Sequence, residues 1–241
     1  QLDLSTPHPL PGPDAPLYHN LLAPTQWPSA KYLPDFHPVY EDYMARMGEL
    51  STFFTSLIAE AIGLPPDAFS RFFDPNQQHK LKIVKYPEAA PTSSLTSLST
   101  PKSTTTTTSS SRSHDSTDEE EAAAEEEEEE VDAEDALARQ GVGPHKDSML
   151  TSYLLQASPH RGLQAQNHTG RWISVPPRPN TLVVAIGQGM EALTGGVCAS
   201  TTHRVLSSRA GEGARYSVPF FQGVSYDARF EEMLFRTRCA G

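Results

Sequence analysis

From Ser148 to Gln222 the chain repeats one pattern: a short run of β-branched or aromatic residues, then a break at Gly, Pro, Asn or Ser. The runs read SMLTSYLLQ, GLQAQ, RWISVPP, TLVVAIG, STTHRVLSS and RYSVPFFQ. Their spacing of roughly 8 to 12 residues is that of an antiparallel sandwich or barrel. No stretch reaches the roughly 18 consecutive apolar residues that a membrane-spanning helix needs. The second half of the chain is therefore predicted to be β-rich, and any catalytic site is expected there.

Upstream the period lengthens. Between His37 and Ile62, apolar residues stand at Tyr40, Tyr43, Met44, Met47, Leu50, Phe54, Leu57, Ile58, Ala61 and Ile62. Steps of three and four predict one helix with a single buried stripe, ended by Gly63 and the Pro65-Pro66 pair. PDAFSRFF predicts a second, short helix, and LKIVKY, ending before Pro87, a strand. This Met and aromatic stripe reads as packing rather than as a cofactor site. The fold class expected is mainly β with flanking α.

Between the two halves lies a stretch of different composition. Residues 92–117 contain 19 Ser or Thr out of 26, and 14 of the 30 acidic residues fall between Asp115 and Asp135. The formal charge of −11 is thus carried by residues 92–140, which hold 14 acids and 3 bases and leave 16 acids and 16 bases in the remainder. So polar a segment cannot bury enough apolar surface to offset its ordering entropy, and residues 90–138 are expected to be disordered. It reads as a tolerated surface insertion, because long loops add little closure entropy. The other reading is an acidic arm for a basic protein partner, or a phosphorylation target. A nucleic-acid partner would want a basic face, which this chain lacks. The division expected is 1–89, a helical part with the first core strand; 90–138, the insert; and 139–241, the catalytic core.

The two cysteines, Cys198 and Cys239, make neither a disulfide framework nor a zinc motif, which fits a reducing, cytoplasmic setting. The chain starts at Gln1 and shows no charged, then apolar, leader. The sequon at Asn167 matters only in a secreted protein.

The chemistry-bearing residues lie in GVGPHKDSML, which holds the chain's one His-x-Asp, His145 and Asp147. On extended backbone, residues i and i+2 share a face, so both can point inward while Lys146 points away. His203 follows 58 residues later on another predicted strand. Two imidazoles and one carboxylate leave three positions open on an octahedral metal, an arrangement suited to non-haem Fe(II). A structural zinc site would want four closed ligands. Twelve residues beyond His203, Arg215 and Ser217 share a strand face, and a guanidinium fork beside a hydroxyl suits a carboxylate. Each residue alone is more often structural; their joint occurrence, in order and on predicted strands, favours a site.

The segments GVGPHKDSMLTSYLLQ, GLQAQ, GRWISVPPRPNTLVVAIGQGMEALTGGVCASTTHRV and RYSVPFF resemble the iron- and 2-oxoglutarate-dependent dioxygenases, the family of isopenicillin N synthase, flavonol synthase and the gibberellin oxidases. The upstream QWP, the long helix and LKIVKYP also resemble that family, so similarity covers nearly all but the insert. The resemblance implies a double-stranded β-helix, a jelly-roll core with N-terminal helices. It implies Fe(II) on His145, Asp147 and His203, and 2-oxoglutarate as co-substrate with its distal carboxylate on Arg215 and Ser217. Tyr86 stands where the family often has a tyrosine supporting 2-oxoglutarate, but the Asn usual two residues earlier is Val84. Thr151, Leu163 and Phe221 would line the substrate cavity.

The implied activity is an oxidoreductase that uses dioxygen to hydroxylate, desaturate or cyclise a small organic molecule, with succinate and CO2 as co-products. Ascorbate would serve as a reductant, and secondary metabolism would be the setting. Two alternatives stay open: an isopenicillin N synthase-like oxidase that uses no 2-oxoglutarate, and an inactive metal-binding relative. Family members usually carry a longer N-terminal region than this chain.

Overall fold

A computed structural model describes residues 1–21, 24–73, 77–90 and 133–229. Their strands form two antiparallel sheets. Strands β1 (Leu2–Ser5), β2 (Lys80–Tyr86), β4 (Thr151–Gln156), β7 (Val183–Ile186) and β9 (Arg215–Gln222) make a five-stranded sheet in the order β1-β2-β9-β4-β7. Strands β3 (Gln140–His145), β5 (Leu163–Gln166), β6 (Trp172–Ser174) and β8 (His203–Leu206) make a four-stranded sheet in the order β3-β8-β5-β6. The jelly-roll expectation holds, and each of the six quoted β-runs supplies one strand. Between the sheets pack Val84, Tyr86, Leu163 and Val205, ringed by Val142, Leu154, Val175 and Val183.

The outer face of the larger sheet is covered by helix α1 (Phe36–Ala61), which ends before Gly63 at φ 77°. Tyr40, Met44 and Met47 pack there against Leu4, Leu81, Tyr153 and Phe220. The buried stripe differs from the predicted one: Leu50 and Leu57 are each 41 % exposed, while Ser51 and Thr55 are fully buried. The cause lies in the strand beneath. Thr55 Oγ1 and Thr151 Oγ1 both reach Gln222 Oε1, at 2.9 and 2.6 Å, so the facing surface rewards hydroxyls over leucines.

PDAFSRFF forms a turn and a 3-10 segment, Ser70–Phe72, rather than an α-helix. It buries Phe69 and Phe72 against Ile58, Met190 and Leu193. The last two belong with helix α3 (Gln188–Leu193).

Most of the acidic segment, residues 91–132, lies outside the described residues. Its end does not: Ala133–Ala138 form helix α2, where disorder was expected through 138. Asp135 pairs with Arg139 at 2.7 Å one turn on, and Ala136 is buried. Both flanks of the segment attach to one loop. Ala89 N donates to Ser208 O and the Glu88 carboxylate accepts from Gly211 N and Gly213 N. On the other flank, Arg139 O accepts from Ser207 N, and Asp135 lies 3.5 Å from Arg209. The two described flanks of the segment therefore meet at the same loop, residues 207–213.

Candidate metal centre

Strand β3 ends at His145, which stands directly opposite His203, the first residue of β8. Their rings lie 4.3 Å apart, centroid to centroid. Asp147 joins them from just beyond the end of β3, so strand alternation is not what aims it. A bend following β3 does so, tied down at both ends: Asp147 O accepts from Gln188 N at 2.7 Å, and the carboxylate accepts a hydrogen bond from Ser152 Oγ. Asp147 Oδ1 is 3.6 Å from His145 Nε2, and Oδ2 is 3.8 Å from His203 Nε2. One ligand atom from each of the three residues falls within 4.8 Å of the others.

Close packing holds the bend. Gly187 N donates to Leu150 O and Gly189 N to Met149 O. A Cβ on Gly187 would lie 2.0 Å from Met149 O and 3.1 Å from Asp147 O, so only glycine fits there.

The donor set suits a divalent iron. His145 Nδ1 hydrogen-bonds Gly143 O at 2.9 Å, and His203 Nδ1 hydrogen-bonds Thr201 O at 3.1 Å. Each contact requires the proton on Nδ1, because a carbonyl can only accept, and this leaves the Nε2 lone pair aimed at the shared point. Two neutral imidazoles and one anionic carboxylate on one side leave the opposite side open, as a metal that binds further ligands requires.

That open side faces a cavity of about 520 Å³ between the sheets. Tyr86, Leu163, Ser217 and Phe221 line it together with the three ligands. Arg215 is fully buried and lies opposite the lining residue Tyr86 in the β2–β9 register, with its guanidinium 5.2 Å from the Tyr86 ring centre. Nη2 donates to Gln156 Oε1 at 3.0 Å, whereas Nε and Nη1 find no acceptor among the described residues. Burial pulls the guanidinium below its ordinary range, with Tyr86 acting in the opposite sense. A buried cation with two idle donors beside a cavity is suited to an incoming anion, which would satisfy the fork.

Thr151 does not line this cavity. It faces the other side of the sheet, bonded to Gln222 beneath α1, and its neighbour Ser152 is the residue that faces the metal ligands. Strand alternation makes a one-residue error of this kind a change of face. Val84 lines the cavity where the resemblance expects Asn, and offers it only an apolar wall. Sequence reasoning passed over Ser152, Gln156 and the carbonyls of Gly143 and Thr201. For Ser152 the signal existed, as alternation with the inward Leu154; for the carbonyls none did.

Comparison with known proteins agrees with this geometry. Residues 125–224 match the 2OG-Fe(II) oxygenase superfamily. The chain is 62 % identical over 233 residues to the 2-oxoglutarate-dependent dioxygenase frbJ of Dothideomycetidae sp., covering 97 % of this chain and 51 % of that protein. It is 34 % identical over 231 residues to a 2-oxoglutarate-dependent dioxygenase of Gibberella zeae, covering 92 % and 50 %. The chain thus spans about half the length of the curated relatives it matches. In fold, it resembles a full-length Neurospora crassa protein solved in complex with alpha-KG, at TM-score 0.64 and 18 % identity over 94 % of this chain and 55 % of that one. JOX2, solved with 2OG, Fe and JA, gives TM-score 0.62 and 22 % identity over 93 % and 50 %. With the His-Asp-His cluster, the two-sheet core and these relatives in agreement, the chain belongs to the 2OG-Fe(II) oxygenase superfamily.

Proposed function

We propose that this chain carries the catalytic core of an Fe(II)- and 2-oxoglutarate-dependent dioxygenase that hydroxylates, desaturates or cyclises a small organic molecule. One observation carries the reading: a three-ligand cluster with an open side shares a cavity with Tyr86 and Ser217, the strand neighbours of a buried guanidinium that has two idle donors. Bound iron supplies the coupling of dioxygen reduction to 2-oxoglutarate decarboxylation; in a hydroxylation, C–H, 2-oxoglutarate and O2 become C–OH, succinate and CO2.

The chain's own residues do the positioning. His145, Asp147 and His203 hold the metal. Ser152 and the Gln188 N–H fix the Asp147 carboxylate, and the two backbone carbonyls fix the imidazole tautomers. Arg215 and Ser217, backed by Tyr86, hold the distal carboxylate of 2-oxoglutarate. Leu163, Phe221 and the neighbouring valines exclude water and take the substrate. We place the reaction in the cytoplasm, a setting supported by two cysteines without a disulfide framework; Cys198 is a free thiol.

Anaerobic titration with Fe(II) and then 2-oxoglutarate tests the site. The expected result is the weak visible charge-transfer band of the chelate in the wild type, and its absence in His145→Ala and Asp147→Ala. Iron uptake with no band on adding 2-oxoglutarate would overturn the co-substrate assignment.

A further inference from the structure

The residues assigned above account for the metal and for one end of the cavity, but not for the other. Strand β2 sends Lys80, Lys82, Val84 and Tyr86 to the cavity side. Tyr86 is opposite Arg215, at the 2-oxoglutarate end. Lys80 is opposite Phe221, and Phe221 is in turn opposite Ser152, whose hydroxyl holds Asp147. The row Lys80–Phe221–Ser152 therefore runs across the sheet at the level of the metal ligands. Two strand spacings put the Lys80 backbone about 10 Å from that of Ser152.

Charge at this end is one-sided. Among the described residues, the one carboxylate lining the cavity is Asp147, which belongs to the metal cluster. Three lysine side chains line it: Lys80, Lys82 and Lys146. Lys146 is paired with Glu191 at 3.4 Å and Lys82 with Asp3 at 3.5 Å. Lys80 has no acidic partner among the described residues. Between Lys80 and the metal ligands lies the apolar Phe221, with the Lys82 Nζ 5.8 Å from its ring. An ammonium at the edge of an apolar wall is suited to a molecule with an oily body and an anionic head.

We propose that the substrate is a small amphiphilic organic anion, its head group held by Lys80 with help from Lys82 and its apolar body lying over Phe221 toward the metal. This rests on the dioxygenase reading for what happens to the bound molecule, but not for its binding. A carboxylate on Lys80 would set the oxidised carbon several bonds from the head group, since the cation and the metal ligands stand on separate strands.

The test uses 4-phenylbutanoate and its neutral counterpart 4-phenylbutanamide. Their binding is measured by calorimetry under argon, with the protein saturated in Fe(II) and 2-oxoglutarate so that Arg215 is engaged. The acid is expected to bind about tenfold more tightly than the amide, the gain from one charge-assisted hydrogen bond in a partly exposed site. Lys80→Gln should weaken the acid by about fivefold to tenfold and leave the amide unchanged. Lys85→Gln, on the opposite face of β2, should change neither. Equal affinity of acid and amide would overturn the proposal, as would the absence of measurable binding by either probe. So would an acid preference that survives Lys80→Gln, or one removed by Arg215→Met instead, which would put the acid at the 2-oxoglutarate end. A Lys80-dependent preference without the charge-transfer band would sink the co-substrate reading and leave the anion site standing.

Discussion

Replacing Arg215 by Met separates what this residue does for the fold from what it does for the ligand. The guanidinium is fully buried, with one donor engaged by Gln156 and two donors idle. Each unsatisfied buried donor costs about 1–3 kcal/mol, and the desolvated charge adds to that. Against this, Met loses the Gln156 hydrogen bond, about 1.5–3 kcal/mol for a charged donor, and the cation–π contact with Tyr86, about 0.5–1 kcal/mol. The balance favours Met by about 1–3 kcal/mol in the ligand-free protein, roughly 2–10 °C in Tm for a chain of this size. With 2-oxoglutarate present, that margin is cancelled or reversed. The wild type gains about 2.7 kcal/mol at a hundred times Kd, whereas the variant, without the fork, gains almost nothing. Thermal melts of both proteins, with Fe(II) and with or without 2-oxoglutarate, give all four values. A variant that melts well below the wild type without ligand would refute the reasoning, because it would mean that the guanidinium is already satisfied in the folded protein. An equal 2-oxoglutarate shift in both proteins would remove Arg215 from the co-substrate site.

Gly187→Ala tests the packing that aims Asp147. The added methyl meets Met149 O at 2.0 Å, and the backbone φ of −96° is open to alanine, so the penalty is steric alone. A loss of about 1–3 kcal/mol is expected, together with weaker Fe(II) binding; an unchanged melt and unchanged iron affinity would show that the bend can yield. His79 tests burial against pH. It lies beside α1, at an outward depression of about 710 Å³ that holds none of the metal ligands, and burial lowers its pKa from 6.5 to about 4. The folded state prefers the neutral ring, so stability is complete above pH 6.5 and falls as the pH drops toward 4, by up to about 3 kcal/mol. Urea denaturation across that range should show the slope in the wild type and a flatter profile in His79→Gln; parallel profiles would assign the acid sensitivity elsewhere.

The sequence was most legible where one short-range physical rule governs a segment. Each of the six β-runs became a strand, because alternating side chains bounded by Gly, Pro and Asn have few other ways to bury one face. The long helix came out within a residue of its expected ends for the same reason: its period, and then Gly63 with two prolines, stop it. The candidate metal ligands were legible because their residue types are rare in combination, not because strand alternation aims them; Asp147 lies outside strand β3.

What failed involved a partner distant in the chain. Leu50 and Leu57 gave up the buried face of α1 to Ser51 and Thr55 because Gln222, far along the sequence, lies beneath them. Thr151 was assigned to the cavity and faces the helix, since only the sheet pairing decides which side of β4 looks inward. Ala133–Ala138 are ordered by Arg139 and Arg209, not by their own composition. Sequence alone thus determined the β-rich core, the long helix and the chemical types of the ligands, all products of local pattern. Tertiary structure decided the tautomers of the two histidines, the idle donors of Arg215 and the one-sided charge beyond Phe221. Each of those depends on which carbonyl, carboxylate or cation another part of the chain brings within hydrogen-bonding range, and no local rule sets that distance.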